Sequence, residues 1–261
     1  ELQSVHNAVE MCTILFLRRP DHKWPLILGS NRDEMSDRKW LPPARHWPDR
    51  ENVFAGLDEL AGGSWLGVND EGVVAGILNR KGTLGPKKNF RSRGELVLEA
   101  LDHGDAVDAV KAISDLNPSA YRSFNLFIAD NRDAWWIRNT EFGVERVETF
   151  EIPIGFSMLT AWGLNSSDSA RTEYFLPKLR VAKTPNPETC EWTSWKKILN
   201  CKDFAPGTGS GEAMLIDVKQ GFGTISSTLI ALETAEVYKP RKKWLFLDRS
   251  SKQPKFTSFN L

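Results

Sequence analysis

Two apolar runs near the start, CTILFLR from Cys12 and LILGSNR at 26–32, are rich in branched and aromatic residues, the composition of buried strands. PDHKWP at 20–25 lies between them as a turn, so the pair reads as a hairpin. Its second strand ends in the polar cluster Asn31, Arg32, Asp33 and Glu34, and prolines at 42, 43 and 48 predict a long loop after it. SWLGVN and VVAGILNR form a second hairpin around Asp70, Glu71 and Gly72, where glycine supplies the positive φ such a turn commonly requires.

Beyond the glycine- and proline-rich stretch 82–86 the period changes. SRGELVLEALDHG and DAVDAVKAISDL carry apolar residues at helical spacing and predict two consecutive helices. FNLFIAD (124–130), AWWIRN (134–139) and GVERVETF (143–150) return to strand composition with short turns, an antiparallel meander. SARTEYFLPKL is helical, a proline-rich break follows at 184–187, and a short helix spans about 192–199. TISSTLIALE and KKWLFLD close the chain as strands. Strand hairpins with intervening helix pairs predict an α+β fold with layers of both types.

At 261 residues the chain is long enough to bury a large core, and one domain is the economical reading. Lys plus Arg and Asp plus Glu are both 34, so no global field favours nucleic acid or an anionic membrane, and ligands must be recognised locally. No apolar stretch approaches the roughly 20 residues of a membrane span, and the first residues lack the character of a signal peptide. A cytoplasmic protein is expected. Cys12, Cys190 and Cys201 suggest no disulfide framework, and scattered histidines suggest no metal site and no cofactor. Most of the ten tryptophans are expected to fill core, the remainder to line a pocket.

Cys12 follows Met11, and a methionine before so small a residue is normally removed. That would leave a residue with both a thiol and an α-amine, whose unperturbed pKa of about 8 makes it a competent base for its own side chain. The alternative is a buried strand cysteine. Residues 1–11 are read as a tag, a propeptide or a mis-assigned upstream segment, and 12–261 as the domain. Among the polar cluster, Asp33 is suited to orient the α-ammonium and Arg32 to lower the thiol pKa; ion pairing at the surface is the plainer alternative. GGSW at 62–65 offers close backbone approach, with Trp65 a possible pocket wall, although a tight bend explains it as well. Thr224, Ser226 and Ser227 alternate with Ile225 and could face a pocket, but no GxSxG elbow or triad accompanies them.

MCTILFL, SNRDE, GGSWLGVNDEGVVAGILNR, SRGEL, LTAWGLNSSDSARTEYFLPKL and GFGTISSTLIAL occur in order from residue 11 to the C-terminal strands, and together they resemble the NRDE family, also called the transport and Golgi organisation family. That family is similar to the N-terminal-nucleophile (Ntn) hydrolases of the penicillin V acylase and bile salt hydrolase group, which open with Met-Cys-Thr and cleave amide bonds with the cysteine. The resemblance implies a four-layer αββα sandwich of antiparallel sheets. It also implies catalytic roles for Cys12, Arg32, Asp33, Asn79 and Asn165, with Asn79 and Asn165 as oxyanion donors, each worth about 3 kcal/mol in comparable sites. Asn165 alternatively caps the following helix with Ser166, Ser167 or Asp168. Asn31, Trp65 and Arg171 are candidate substrate contacts, and the division of roles among Asn31, Arg32 and Asp33 is left open.

Two functions follow from the resemblance. One is an N-terminal cysteine amidohydrolase acting on a non-peptide C–N bond of a small acylated substrate. The other is a non-catalytic carrier or chaperone using the same cavity for a hydrophobic ligand such as a lipid, acyl-CoA or haem; no axial-ligand motif marks haem. A protein-interaction role in secretion rests on the family name alone. The partner in either main case is a small molecule, with oligomeric state left open.

Overall fold

A computed structural model of the chain describes residues 12–140 and 145–261. Six strands precede the first helix: β1 (Thr13–Arg18), β2 (Leu26–Met35), β3 (Trp40–Ala44), β4 (Val53–Asp58), β5 (Leu66–Asn69) and β6 (Val74–Asn79). Helices α1 (Gly94–Leu101) and α2 (Ala106–Ser114) follow, then β7 (Phe124–Ala129), β8 (Ala134–Asn139), β9 (Glu148–Glu151) and β10 (Gly155–Leu159). Helices α3 (Ala170–Val181) and α4 (Thr193–Leu199) precede β11 (Phe222–Leu232), β12 (Lys242–Asp248) and β13 (Thr257–Asn260).

The strands form two sheets, one in the order β10-β1-β2-β11-β12-β13 and the other running β3 to β9 in sequence, with antiparallel neighbours throughout. Because side chains alternate along a strand, β1 sends Ile14 and Phe16 one way and Leu15 and Leu17 the other. The first pair meets Phe54, Leu66, Val68 and Phe127 of the second sheet; the second pair meets Phe175, Leu179 and Trp195 of α3 and α4. On the far side of the second sheet, Leu96, Leu101 and Ile113 of α1 and α2 pack on Ala75, Phe124 and Leu126. The result is the four-layer αββα sandwich. Both sheets are covered on two faces, which is why their strands read as nearly continuous apolar runs.

Phe16 and Phe127 join the sheets edge to face, ring centroids 5.1 Å apart, a geometry worth about 1 kcal/mol beyond the area buried. Gly76 makes room for this contact, since a Cβ there would lie 2.4 Å from the Phe127 ring. The turn at 70–72 forms as expected: Gly72 has φ +96°, and the Asn69 side chain accepts from Val73 N.

Several elements depart from the sequence pattern. The expected loop at 42 and 43 is instead part of β3, where Pro42 and Pro43 sit at the sheet edge in a register irregularity between Leu41 and Ala44. An edge with a bulge needs no donor from either ring, so the prolines are tolerated there. β4 and β13 have no counterpart in the predicted elements, and β9 begins only at Glu148. Part of the predicted strand 143–150, like the segment 1–11, lies outside the described residues. Trp24, Trp192, Trp195 and Trp244 are fully buried core residues. No helix among the described residues is long and apolar enough to cross a membrane.

The far end of the β11–β12 hairpin is closed by charge. Arg241 donates to both Glu233 oxygens at 2.8 and 2.5 Å and also to Glu188. The hydrogen bonds from Arg241 hold the Glu233 carboxyl down at about 2. A depressed carboxylate stabilises the fold above its unfolded pKa of about 4.3 and loses that contribution as pH falls through about 2. Urea unfolding at a series of pH values should therefore show Glu233→Gln less stable near neutrality and less sensitive to acid across that window; parallel pH profiles for the two proteins would contradict this.

Candidate active site

β1 and β2 pair with Thr13 opposite Asn31, so Cys12, directly before β1, lies next to the Arg32 end of that pairing. The alternation of β2 then sorts its polar cluster. Asn31 and Asp33 share the face of Ile27, toward α3 and α4, whereas Arg32 shares the face of Leu28, toward the second sheet. Three adjacent residues of one motif thus serve opposite layers, and their roles separate.

Asn31 is fully buried. Its amide donates to Leu199 O at 2.9 Å and Met214 O at 2.6 Å, and its oxygen accepts from the Ser227 hydroxyl at 2.5 Å. The side chain expected to contact substrate is spent on tying β2 to the end of α4 and to the segment before β11. Asp33 accepts from Thr224 Oγ1 at 2.6 Å and from Arg171 Nη1 at 3.2 Å. Arg171, at the first turn of α3, also donates to Thr13 Oγ1 at 2.8 Å and to Gly211 O at 2.7 Å. The ion pair has no solvent exposure at either end. Burial pushes the Asp33 carboxyl up, and the Arg171 charge and the Thr224 hydroxyl act against that push. Thr224 and Ser227, legible in the sequence as an alternating polar pattern, are thus partners of the β2 cluster.

On the other face, Cys12, Arg32, Trp65 and Asn79 line one cavity of about 240 Å³, together with the segment 85–94 leading into α1. The Cys12 thiol donates to Asp33 O at 3.5 Å. Its pKa is pushed up to about 12, first by burial and then by the Asp33 charge; Arg32 acts downward as expected from the sequence but is outweighed. Asn79, at the end of β6, makes no side-chain hydrogen bond to another described residue, which leaves its amide available to a ligand. Trp65 is the wall the sequence suggested. Gly56 admits its ring, because a Cβ there would lie 2.1 Å from it. The glycines of GGSW serve the protein itself: Gly63 lies against the Gly94 backbone, and Ser64 N donates to Gly94 O.

Asn165 and Arg171 are not on the cavity wall. Asn165 adopts φ +52°, accepts from Met158 N at 2.8 Å and donates to Ser157 Oγ at 3.1 Å, so it closes the turn after β10. Nor does it cap α3; that residue is Ser169, whose hydroxyl accepts from Thr172 N. The sequence reading passed over the cavity's second wall, where Arg93 and Arg122 hold the segment 82–85 by donating to its carbonyl oxygens. Its only signal was the density of arginine beside glycine. Among the described residues, no group of three or more His, Cys, Asp or Glu side chains is placed to hold a metal.

The two antiparallel sheets between helix layers form an Ntn-hydrolase-like sandwich. The chain is similar to a Caenorhabditis elegans N-acylethanolamine-hydrolyzing acid amidase orthologue, with TM-score 0.55 and 12% identity over 84% of this chain and 92% of that one. It is also similar to a variant of the conjugated bile acid hydrolase of Clostridium perfringens, with TM-score 0.50 and 12% identity over 94% and 92%. At such identity the likeness concerns the fold. The chain belongs to the Transport and Golgi organisation 2 family, whose model matches residues 11–239. No curated protein matches it.

Two measurements follow from this geometry. Asn31→Ala strands two buried carbonyls and a hydroxyl and should cost about 2–3 kcal/mol in urea unfolding; an unchanged midpoint would refute the assignment of Asn31 to structure. In the full chain, Cys12 should resist iodoacetamide from about pH 7 to about pH 9 while exposed Cys190 is alkylated. Peptide mass spectrometry showing both labelled at one rate would show that the Cys12 thiol is not held protonated.

Proposed function

We propose that the chain is an N-terminal cysteine amidohydrolase that cleaves the C–N bond of a small acylated substrate once Cys12 carries a free α-amine. The observation that carries this reading is the placement of Cys12 at the head of β1 in one cavity with the uncommitted amide of Asn79. A thiol pushed up to about 12 needs a base at the moment of reaction, and a liberated α-amine is the nearest candidate. In this mechanism the thiol proton passes to the amine as sulfur adds to the amide carbonyl. The Asn79 amide donates to the developing oxyanion, the C–N bond breaks as the proton is delivered to the leaving nitrogen, and water hydrolyses the thioester. Asp33, fixed by Arg171 and Thr224, holds the β1–β2 ends in register. Asn165, expected as a second donor, is assigned to the turn after β10. Both relatives are hydrolases by name, and the first acts on an N-acylethanolamine.

The carrier reading is favoured by a different observation: Ile14, Ile77, Leu78 and Phe90 give the cavity apolar walls, and the thiol is not activated in the intact chain. The two readings part at Cys12→Ala, which abolishes turnover in the first and leaves ligand binding intact in both. Protein with Cys12 as its first residue should form a thioester adduct with acyl amides, seen as an acyl mass on Cys12. Asn79→Ala should lower kcat/KM roughly 100-fold, the effect of losing one oxyanion donor. Absence of any adduct or product on protein verified to start at Cys12 would sink the hydrolase and leave the carrier.

A further inference from the structure

Arg32 is 6% exposed, yet its guanidinium makes no hydrogen bond to any described residue. Its nearest carboxylate oxygen, Glu34 Oε2, stands 3.7 Å from Nη2, beyond hydrogen-bond reach, and the same oxygen is 3.7 Å from Arg38 Nε. Arg38 is already matched by Asp58 at 2.5 Å. What fixes Arg32 is aromatic: its guanidinium carbon lies 4.0 Å from the Trp65 ring centroid and 5.9 Å from that of Trp40, and the two rings meet edge to face at 5.6 Å. A buried charge held on ring faces, with its N–H groups unspent and on a cavity wall, is a costly arrangement for stability alone. It is well suited to a ligand, because the planar fork is oriented in advance.

The charge around it points the same way. Asp33 is occupied by Arg171 on the opposite face, and Arg91 pairs with Glu95. Arg122, across the cavity, gives its hydrogen bonds to the carbonyls of Gly82, Leu84 and Gly85, acceptors that carry no net charge, and its buried Nε has no partner.

We infer that the cavity takes a ligand bearing an anionic, carboxylate-sized group, bound by the Arg32 guanidinium. Because Arg32 and Cys12 line the same cavity, Cys12 directly before β1 and Arg32 directly after the Asn31 that pairs with Thr13, the carboxylate sits within a few bonds of the amide presented to the thiol. This rests on the proposed acyl-amide site and names its substrate class: N-acyl amides carrying a carboxylate near the scissile bond, on the amine or the acyl side.

The test is calorimetric binding to the full chain carrying Cys12→Ala, which keeps ligands intact. Two matched pairs serve as probes: N-decanoylglycine against N-decanoylglycinamide, and N-decylsuccinamic acid against its amide. The charged member of at least one pair should bind about tenfold more tightly, as a charge-assisted bond to guanidinium provides. Adding Arg32→Gln should erase the preference and leave affinity for the neutral member unchanged, with thermal unfolding confirming that the variant folds. Arg32→Lys should retain part of the preference. Equal affinity within both pairs overturns the inference, and that comparison keeps Arg32 in place, so it decides even if Arg32→Gln fails to fold. The outcomes also separate from those of the hydrolase reading: a charge preference without turnover by protein starting at Cys12 sinks hydrolysis alone, and turnover without charge preference sinks the Arg32 assignment alone.

Discussion

The Asp33–Arg171 pair is fully enclosed, and everything around the cavity is arranged on it. A buried charge without a partner costs several kcal/mol, so each of these two groups obliges the other to stay, and with them the elements they come from. Asp33 belongs to β2 and Arg171 to α3. Through Thr13, Thr224 and Gly211 the same pair also holds β1, β11 and the segment before β11. The strand end that carries Cys12 is therefore positioned by a network on the face opposite the cavity. The side chains of Asn31 and Asp33 act as anchors behind the sheet, which leaves the cavity face of β2 to Arg32.

That division makes the electrostatics of the two faces different in kind. Behind the sheet, the β2 side chains are matched: Asn31 has three partners and Asp33 two. In front, Cys12 is held protonated by burial, the Asn79 amide is uncommitted, and Arg32 rests on tryptophan faces without a hydrogen bond. Matched polar groups rigidify a sheet. Unmatched ones on a cavity wall are what a ligand can complete.

The hairpin β1–β2, the turn at Gly72, the paired helices α1 and α2 and the meander from β7 were legible from periodicity alone, because both sheets are covered on two faces and their strands carry dense apolar runs. The edges were not. β3 contains two prolines and β13 is largely exposed, so neither shows the alternation or apolar density of a buried strand, and pairing at a sheet edge is set by the neighbour. The site followed the same pattern. Cys12, Asp33, Trp65 and Asn79 stood out by type and position, while the arginine-bearing wall from 85 to 94 and at 122 was read only as a loop leading into a helix.

By itself the sequence determined the layers and the family, since strand period, helix period and ordered motifs are local properties that survive without knowledge of contacts. It also singled out one short cluster as the place of interest. Only the tertiary structure decided which member of SNRDE does what, because a period of two sends Asn31 and Asp33 to one layer and Arg32 to another, and the consequence depends on what those layers contain. Arg171 was resolved the same way: its partners include Thr13 of β1 and Asp33 of β2, and no local pattern encodes a contact across 138 residues.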